Sequence, residues 1–302
     1  MPDNLFSIII PCYNYASYLP RAINSAINQS GDDFDIIIID DGSTDNTKEL
    51  VNRFLAKNDK LRYFYQVNKG AAAARNLGVK KSSSKYIVFL DADDELLPKT
   101  LDFFRLSIFK HPNKHIYLGG HKSINCRGKV QEKINNTLGL TTKEELFEAY
   151  LFKKLSISAG AYAMDYTIFH KLSFPEELSS TEDIPFIAQA LALFDTCFIP
   201  HVLVTIHKHN DSLRHDFQAT NKVGTDLVDI LFNTEMLPES CMRYRHQYYL
   251  KRCLSLSGLA YRAKRYSQAQ EWYVRAITFD KKALLNFSRF KRFFISYFLK
   301  DG

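Results

Sequence analysis

Four short, largely apolar runs constrain this chain more than any other feature: Phe6–Ile10, Ile36–Ile39, Leu61–Tyr65 and Tyr86–Leu90. A strand with one wet face alternates apolar and polar residues. A run without that alternation suits a strand buried on both faces, as in a parallel sheet. Between the runs the period changes. Leu19, Ala22, Ile23, Ala26 and Ile27 share one helical face, with Ser17 as candidate N-cap and Pro20 in the first turn. Leu50, Val51, Phe54 and Leu55 do the same after Asp45, and Gly70–Lys81 reads as an alanine-rich helix. Strands alternating with helices predict parallel βα units under one open sheet, an α/β fold. The order of the strands is not contained in this pattern.

Past Leu97 the alternation loosens. Helices are expected over 97–110, 142–153 and 183–194, the second opened by a Thr142/Glu145 capping box. Strands are expected at 115–119, 122–126, 159–166 and 198–206, with loops at Asn125–Asn136 and Leu172–Ser180. From about residue 216 the chain reads as wholly helical. With 302 residues, 46% hydrophobic and 24% charged, it can build a full core, which excludes wholesale disorder, collagen and coiled coil. No run of apolar residues is long enough for a transmembrane helix, and no basic segment precedes Phe6, so neither a membrane span nor a secretory signal is expected. The five cysteines lack metal-site spacing and suit free thiols in a reducing cytosol.

In an open α/β sheet, ligands collect outside the carboxyl ends of the strands. Three predicted strand ends are polar: Pro11-Cys12-Tyr13-Asn14, Asp40-Asp41-Gly42-Ser43 and Asp91-Ala92-Asp93-Asp94. Two carboxylates separated by one small residue can converge on a hard divalent cation, Mn²⁺ or Mg²⁺, which would share its shell with phosphate oxygens and water. Acidic turns are common, so the combination matters more than any one of them. Ser-Ile-Ile-Ile-Pro-Cys-Tyr-Asn (7–14), Ile-Asp-Asp-Gly-Ser-Thr-Asp (39–45), Ala-Ala-Arg-Asn-x-Gly (73–78) and Phe-Leu-Asp-Ala-Asp-Asp (89–94) occur in this order. With these spacings the chain closely resembles the family 2 glycosyltransferases of the GT-A fold, over roughly residues 5–215.

The resemblance implies a Rossmann-like nucleotide-binding domain with a mainly parallel central sheet over 1–215, followed by an all-helical extension over 216–302. It implies an inverting, metal-dependent transfer from a nucleotide diphosphate sugar, most simply a UDP-sugar, to a saccharide or lipid-linked acceptor in bacterial surface-glycan synthesis. Pro11, Tyr13 and Asn14 would line the nucleotide, with the Tyr13 ring as a stacking face. Asp41 would accept the uracil N–H, and Asp40 would support that pocket. Both also suit a turn and helix-cap cluster, as Asp45 does. Asp91 would sit by the ribose or the metal, with Ala92 beside it at the nucleotide; Asp93 would be the principal metal ligand, bridging to the diphosphate, and Asp94 would face the acceptor or donor sugar. Lys69 and Arg75 would meet the diphosphate, although Arg75 equally suits an ion pair with a nearby aspartate.

Glu182-Asp183 before an apolar helix matches the family's Glu-Asp motif. This implies Asp183 as the general base and Glu182 as an acceptor contact; the alternative is an acidic first helical turn. In His207-Lys208-His209-Asn210-Asp211-Ser212, the histidine three residues before the serine is His209, implied at the metal or diphosphate. Ile206-His207 stands where relatives carry an aromatic-Arg pair. Two other readings are weaker. A sugar-nucleotide pyrophosphorylase needs a glycine-rich basic loop after its first strand, and Pro11–Asn14 is not one. A non-catalytic scaffold does not need polar motifs at three strand ends, two of them acidic.

The net charge of +7 is unevenly distributed. Residues 240–302 hold 14 Lys/Arg against 3 Asp/Glu, a net +11, leaving residues 1–239 at −4. Leu256, Ser257, Tyr266, Ala269, Tyr273 and Ala276 suit one tetratricopeptide-type helical hairpin, with its turn at Tyr266–Gln268. Lys281–Lys300 mixes five phenylalanines with basic residues at helical spacing, which suits an amphipathic helix on an anionic membrane. The expectation is an enzyme peripheral to the inner face of the cell membrane, able to form homo-oligomers and not binding nucleic acid. Packing of this helix against the rest of the tail is the alternative.

Overall fold

The structure is a computed structural model that describes residues 4–135, 139–140, 142–209, 217–285, 287–299 and 301. The expected alternation is present as β1 (Phe6–Cys12), α1 (Leu19–Ile27), β2 (Phe34–Asp40), α2 (Thr47–Leu55), β3 (Leu61–Tyr65), α3 (Ala71–Lys81) and β4 (Tyr86–Phe89). These strands lie in the order β3-β2-β1-β4 and pair in parallel. Ile8, Ile10, Ile36, Ile38 and Val88 pack with Leu19, Ile23, Val51 and Phe104 in one buried cluster. Ile9, Ile37, Ile39, Ile87 and Phe89 are buried as well, so the strands carry apolar side chains on both faces. Each such side chain contributes about 1.5–3 kcal/mol. On α3, the buried residues are Ala72, Ala73, Ala74, Gly78 and Val79. A Cβ at Gly78 would run into Ile9 and Ile39, so the motif glycine lets α3 lie close to β1 and β2.

Beyond β4 the sheet becomes mixed. The further elements are β5 (Glu95–Leu96), α4 (Thr100–Lys110), β6 (Ile116–Ile124), β7 (Val130–Lys133), α5 (Lys143–Leu151), β8 (Tyr162–Asp165), α6 (Asp183–Leu193) and β9 (Thr196–His207). The order continues β4-β8-β6-β9-β5, with β7 on β6. Only β6–β9 is parallel among these later pairs. The parallel character is therefore concentrated in the first four strands.

Several local expectations change. The two strands expected at 115–119 and 122–126 are one strand, β6. Its register against β9 shifts on either side of Gly120. A Cβ at Gly119 would meet Leu203, and one at Gly120 would meet the Lys133 carbonyl oxygen. These glycines permit close strand approach rather than ending a strand. Ser17 does not cap α1; the N-cap position is Tyr18, without a side-chain cap bond. The Thr142/Glu145 capping box forms as expected.

By compactness the chain divides into two units. One comprises residues up to 176 together with 186–210, and the other comprises Glu177–Pro185 together with 211–302. The domain boundary expected at 215 lies outside the described residues. The second unit contains α7 (Phe217–Val223), α8 (Asp226–Leu231), α9 (Glu239–Met242), α10 (Arg245–Arg262), α11 (Tyr266–Phe279) and α12 (Phe287–Ser296). Helices α10 and α11 form the expected hairpin, tied by Ser257 Oγ donating to the Ala269 carbonyl at 2.8 Å. Its turn is 263–265, with Lys264 left-handed at φ 56°, and Tyr266 already begins α11.

Candidate active site

The connection from β2 through β3 ends at one edge of the parallel strands, and β4 then returns to the far side of β1. That reversal makes the gap beyond β1 and β4 the topological switch point, where ligands bind in such sheets. The chain places Pro11–Asn14 and Leu90–Asp94 there, with Asp40–Asp41 beside them on β2.

The Asp40–Asp41 end is hydrogen-bonded by its own chain. Asp40 accepts from the Ser43 N–H at 2.8 Å and from the Tyr63 hydroxyl at 2.6 Å. Asp41 accepts from Gln66 Nε2 at 2.6 Å and from the N–H groups of Lys69 and Gly70 at 2.9 and 2.8 Å. Both are buried. Asp41 Oδ1 takes two of these donors and Oδ2 one, which leaves Oδ2 capacity for a further donor. Gly42 makes the turn possible at φ +83°, where a Cβ would also sit 2.7 Å from the Asn68 nitrogen. Asp45 accepts from the N–H and hydroxyl of Thr47, the first residue of α2, at 3.1 and 2.6 Å, while the N-cap position is Asn46, without a side-chain cap bond. The Asn14 side-chain carbonyl accepts from the Thr44 N–H at 2.7 Å, and the Asn14 N–H donates to Ser43 Oγ at 2.9 Å. Asn14 therefore clasps the β1 loop to the β2 loop. The Tyr13 ring is 45% exposed and open to stacking. The Lys69 side chain is exposed.

The Asp91–Asp94 end is built differently. Arg75 pairs with Asp91 at 3.1 Å and lies over the Phe174 ring, so the ion-pair alternative for Arg75 is realised. Asn76, the next motif residue, bonds the backbone of Phe174 in both directions, at 2.9 and 3.0 Å. Ala92 is buried. Asp94 Oδ1 accepts from the His207 N–H at 2.9 Å. Asp93 Oδ2 lies 2.7 Å from His209 Nε2. This contact joins residues far apart in sequence because β5 pairs with the end of β9, matching Glu95 with Thr205 and Leu96 with Val204. The segment leaving β9 must then pass the Asp93–Asp94 turn. Asn210, Asp211 and Ser212 lie outside the described residues.

Three residues not anticipated from sequence surround this pair. The Tyr18 ring stacks on the His209 ring at 4.5 Å, Tyr15 meets it edge-on at 5.9 Å, and Arg21 donates to the Asp93 carbonyl. Tyr15, Tyr18 and Arg21 follow the Pro11–Asn14 motif at the start of α1, so the signal was proximity to a motif. Burial first, and the Asp91 carboxylate second, raise the pKa of Asp93 above its ordinary value, against the lowering contact with His209. Such a site favours a cation. The Asp93 carboxylate suits a hard cation such as Mn²⁺ or Mg²⁺, with phosphate oxygens and water completing the shell, whereas the His209 imidazole is the softer donor of the two. Among the described residues, no group of three His, Cys, Asp or Glu side chains converges as a metal site. Any bound cation would thus depend on ligand oxygens as well as this pair.

Glu182 and Asp183 belong to the second unit, where Asp183 opens α6. Thr181 before them is left-handed at φ 61°. Within that unit the Tyr248 hydroxyl is pushed up to about 12, chiefly by burial and in smaller part by the Asp183 carboxylate.

The comparisons with known proteins agree with this architecture. An uncharacterized glycosyltransferase of Rickettsia bellii is 35% identical over 185 residues, which is 60% of this chain and 25% of that protein. The chain thus matches only about a quarter of the length of such curated relatives. The structure of S. aureus TarS 1–349 in complex with UDP-GlcNAc aligns with a TM-score of 0.70 at 20% identity, covering 97% of this chain and 89% of that one. A Pyrobaculum calidifontis mannosyltransferase in complex with GDP-Man and Mn²⁺ aligns with a TM-score of 0.56 at 15% identity, covering 90% and 75%. The family model for glycosyl transferase family 2 matches residues 7–174, more than half of the chain, and the chain belongs to that family.

Proposed function

We propose that the protein transfers a sugar, with inversion, from a nucleotide diphosphate sugar, most simply a UDP-sugar, to a saccharide or lipid-linked acceptor. The observation that carries this reading is the Asp93–His209 contact, beside Asp91 and Arg75, at the switch point of a family 2 sheet. The UDP-GlcNAc bound to a protein of like fold supports the donor class, and the Mn²⁺ and GDP-Man of the other neighbour support a cation. The acceptor class is a bacterial surface polysaccharide or lipopolysaccharide precursor, and the enzyme works peripherally at the inner face of the cell membrane.

In this reading Tyr13 stacks on the base and Pro11 borders it. Asp41 accepts the uracil N–H at Oδ2, in a pocket that Asp40 and Asn14 hold in shape. Asp91 and Ala92 face the ribose, while Lys69 and Arg75 answer the diphosphate charge. Asp93 and His209 would hold Mn²⁺ or Mg²⁺, which would supply positive charge to stabilise a departing diphosphate. Asp94 and Glu182 contact the donor or acceptor sugar. Asp183 takes the proton from the acceptor hydroxyl as that oxygen attacks the anomeric carbon, and a single attack inverts the centre.

Calorimetry with UDP, with and without Mn²⁺, tests the donor site. Binding strengthened by Mn²⁺ is expected; UDP binding indifferent to the metal, or none, would favour a scaffold. Hydrolysis across UDP-, GDP- and dTDP-sugars then identifies the donor. Asp183→Asn should lower transfer by about a hundredfold or more while UDP binding persists. Unchanged transfer would move the base elsewhere.

A further inference from the structure

The second unit leaves an unusual amount of apolar surface uncovered on α12. It attaches through Phe293, which packs on the buried Tyr273 ring at 4.7 Å, and through the buried Ser296. Phe290, Phe294 and Phe298 point elsewhere, Tyr297 borders them with its ring edge-on to Phe293 at 5.2 Å, and Phe294, Tyr297 and Phe298 are 60%, 60% and 77% exposed. Their spacing of four, three and one residues places them on one helical face. The winding persists past Ser296 through bonds from the N–H groups of Tyr297, Phe298 and Leu299 to the carbonyls three residues earlier. The Phe294 and Phe298 rings meet edge-on at 5.7 Å, so the stripe is continuous. Leu285, in the turn before α12, is 84% exposed.

Cations lie on and around this helix. Residues 281–299 contain five Lys/Arg and no Asp or Glu. Lys281, Lys282 and Lys291 are exposed. The Arg289 guanidinium lies against Gly258 of α10, at a spot a Cβ would occupy, and Arg292 lies over the Tyr261 ring. Arg262 and Arg292 are both close enough to Arg289 to act on it electrostatically, so three guanidiniums gather in this region.

We infer that the Phe290/Phe294/Tyr297/Phe298 stripe of α12, with Leu285 and the surrounding Lys and Arg side chains, is a docking surface for an anionic lipid bilayer. The inference refines the peripheral membrane placement proposed above, but docking itself needs neither donor nor acceptor. Aromatic and leucine side chains enter the headgroup–acyl boundary, while the lysine stems reach anionic headgroups. A second copy is disfavoured, because a two-fold contact would set one basic, acid-free segment against another. Nucleic acid is disfavoured because Leu285 and Phe298, 84% and 77% exposed, are apolar side chains that a phosphate backbone would leave uncovered. Among the described residues no helix is long and apolar enough to cross a membrane, so the contact is interfacial.

Flotation of the full chain with vesicles tests this. Co-flotation is expected with vesicles of phosphatidylglycerol and phosphatidylcholine, weakening at high salt and nearly absent with phosphatidylcholine alone. The double variant Phe294→Ser/Phe298→Ser, altering two exposed side chains, should lower vesicle partition by about tenfold or more. Its circular dichroism and UDP binding should match those of the parent. Lys281→Gln/Lys282→Gln should reduce the preference for anionic over neutral vesicles. A parent chain that stays with the unbound fraction overturns the inference, as does a double variant that floats equally well. Loss of a dimer in sedimentation on making the double variant, without any vesicle binding by the parent, would assign the stripe to a second copy instead. Flotation without donor hydrolysis would remove only the proposed transfer reaction.

Discussion

The two acidic strand ends of the sheet look alike in sequence and differ in how their charge is answered. At Asp40–Asp41 the polypeptide supplies the donors: Ser43, Tyr63, Gln66 and the N–H groups of Lys69 and Gly70. Those bonds build the β2 loop and position the start of α3. At Asp91–Asp94 the carboxylates crowd one another, and burial with Asp91 raises the pKa of Asp93. Its side chain meets one histidine, and Arg75 answers Asp91. The acidic pair held by Tyr63, Gln66 and backbone N–H groups is built into its loop, with one Asp41 oxygen still able to accept a further donor. The acidic cluster whose crowding raises the Asp93 pKa is the one we propose to receive a cation and a phosphate. The same residue type thus has two uses, separated by its surroundings.

The sharpest way to break this comparison is Asp93→Ala. It should reduce metal-dependent donor turnover by about a thousandfold, the loss of several kcal/mol of charge stabilisation. It should leave stability in urea unchanged or slightly raised, because a buried repulsion is removed. Full turnover in this variant would end the metal assignment. Asp41→Ala should show the opposite pattern in stability. Three donors lose their acceptor, and about 3 kcal/mol of unfolding free energy should be lost, read from the urea midpoint. A change within a few tenths of a kcal/mol would mean that the β2 loop holds without this carboxylate.

His121 extends the comparison to a buried base. Its Nδ1 has no hydrogen-bond partner, and burial first, then Lys133 and Lys208, push its pKa down to about 4 from 6.5. The folded chain therefore keeps His121 neutral where the unfolded chain binds a proton. The stability this neutrality allows is complete above pH 6.5 and declines as pH falls from 6.5 toward 4, by at most about 3 kcal/mol. His121→Gln should flatten that part of the profile when unfolding is followed by urea at successive pH values. An unaltered slope would assign the acid sensitivity to other groups.

Much of the first half was legible because buried parallel strands write themselves as apolar runs and their ends as polar turns. The motif residues Asp40, Asp41, Arg75, Asn76, Gly78 and Asp93 all lie on that plan. Their individual uses were less legible. Arg75 could be read as a diphosphate contact or an ion pair, and the Asp91 contact exists only once α3 and β4 are side by side. The second half was harder because its strands pair at long range and in mixed directions. Gly119 and Gly120 resemble a break when only neighbours in sequence are considered; the reason for both glycines lies in β9 and the segment after β7. The grouping of Glu177–Pro185 with the helical unit has no local signal at all.

By itself the sequence determined the βα alternation, the polar strand ends, the family resemblance and the concentration of positive charge in residues 240–302. These rest on local periodicity, turn chemistry and composition, which need no knowledge of distant partners. Only the tertiary structure decided that β4 returns beside β1, that β5 pairs with β9 and that His209 consequently meets Asp93 under the Tyr18 ring. It also decided which phenylalanines of α12 face the protein and which face outward. The physical reason is common to all of these. Burial and charge compensation are set by what lies across a strand pair or a helix face, and chain positions about a hundred residues apart are neighbours only after folding.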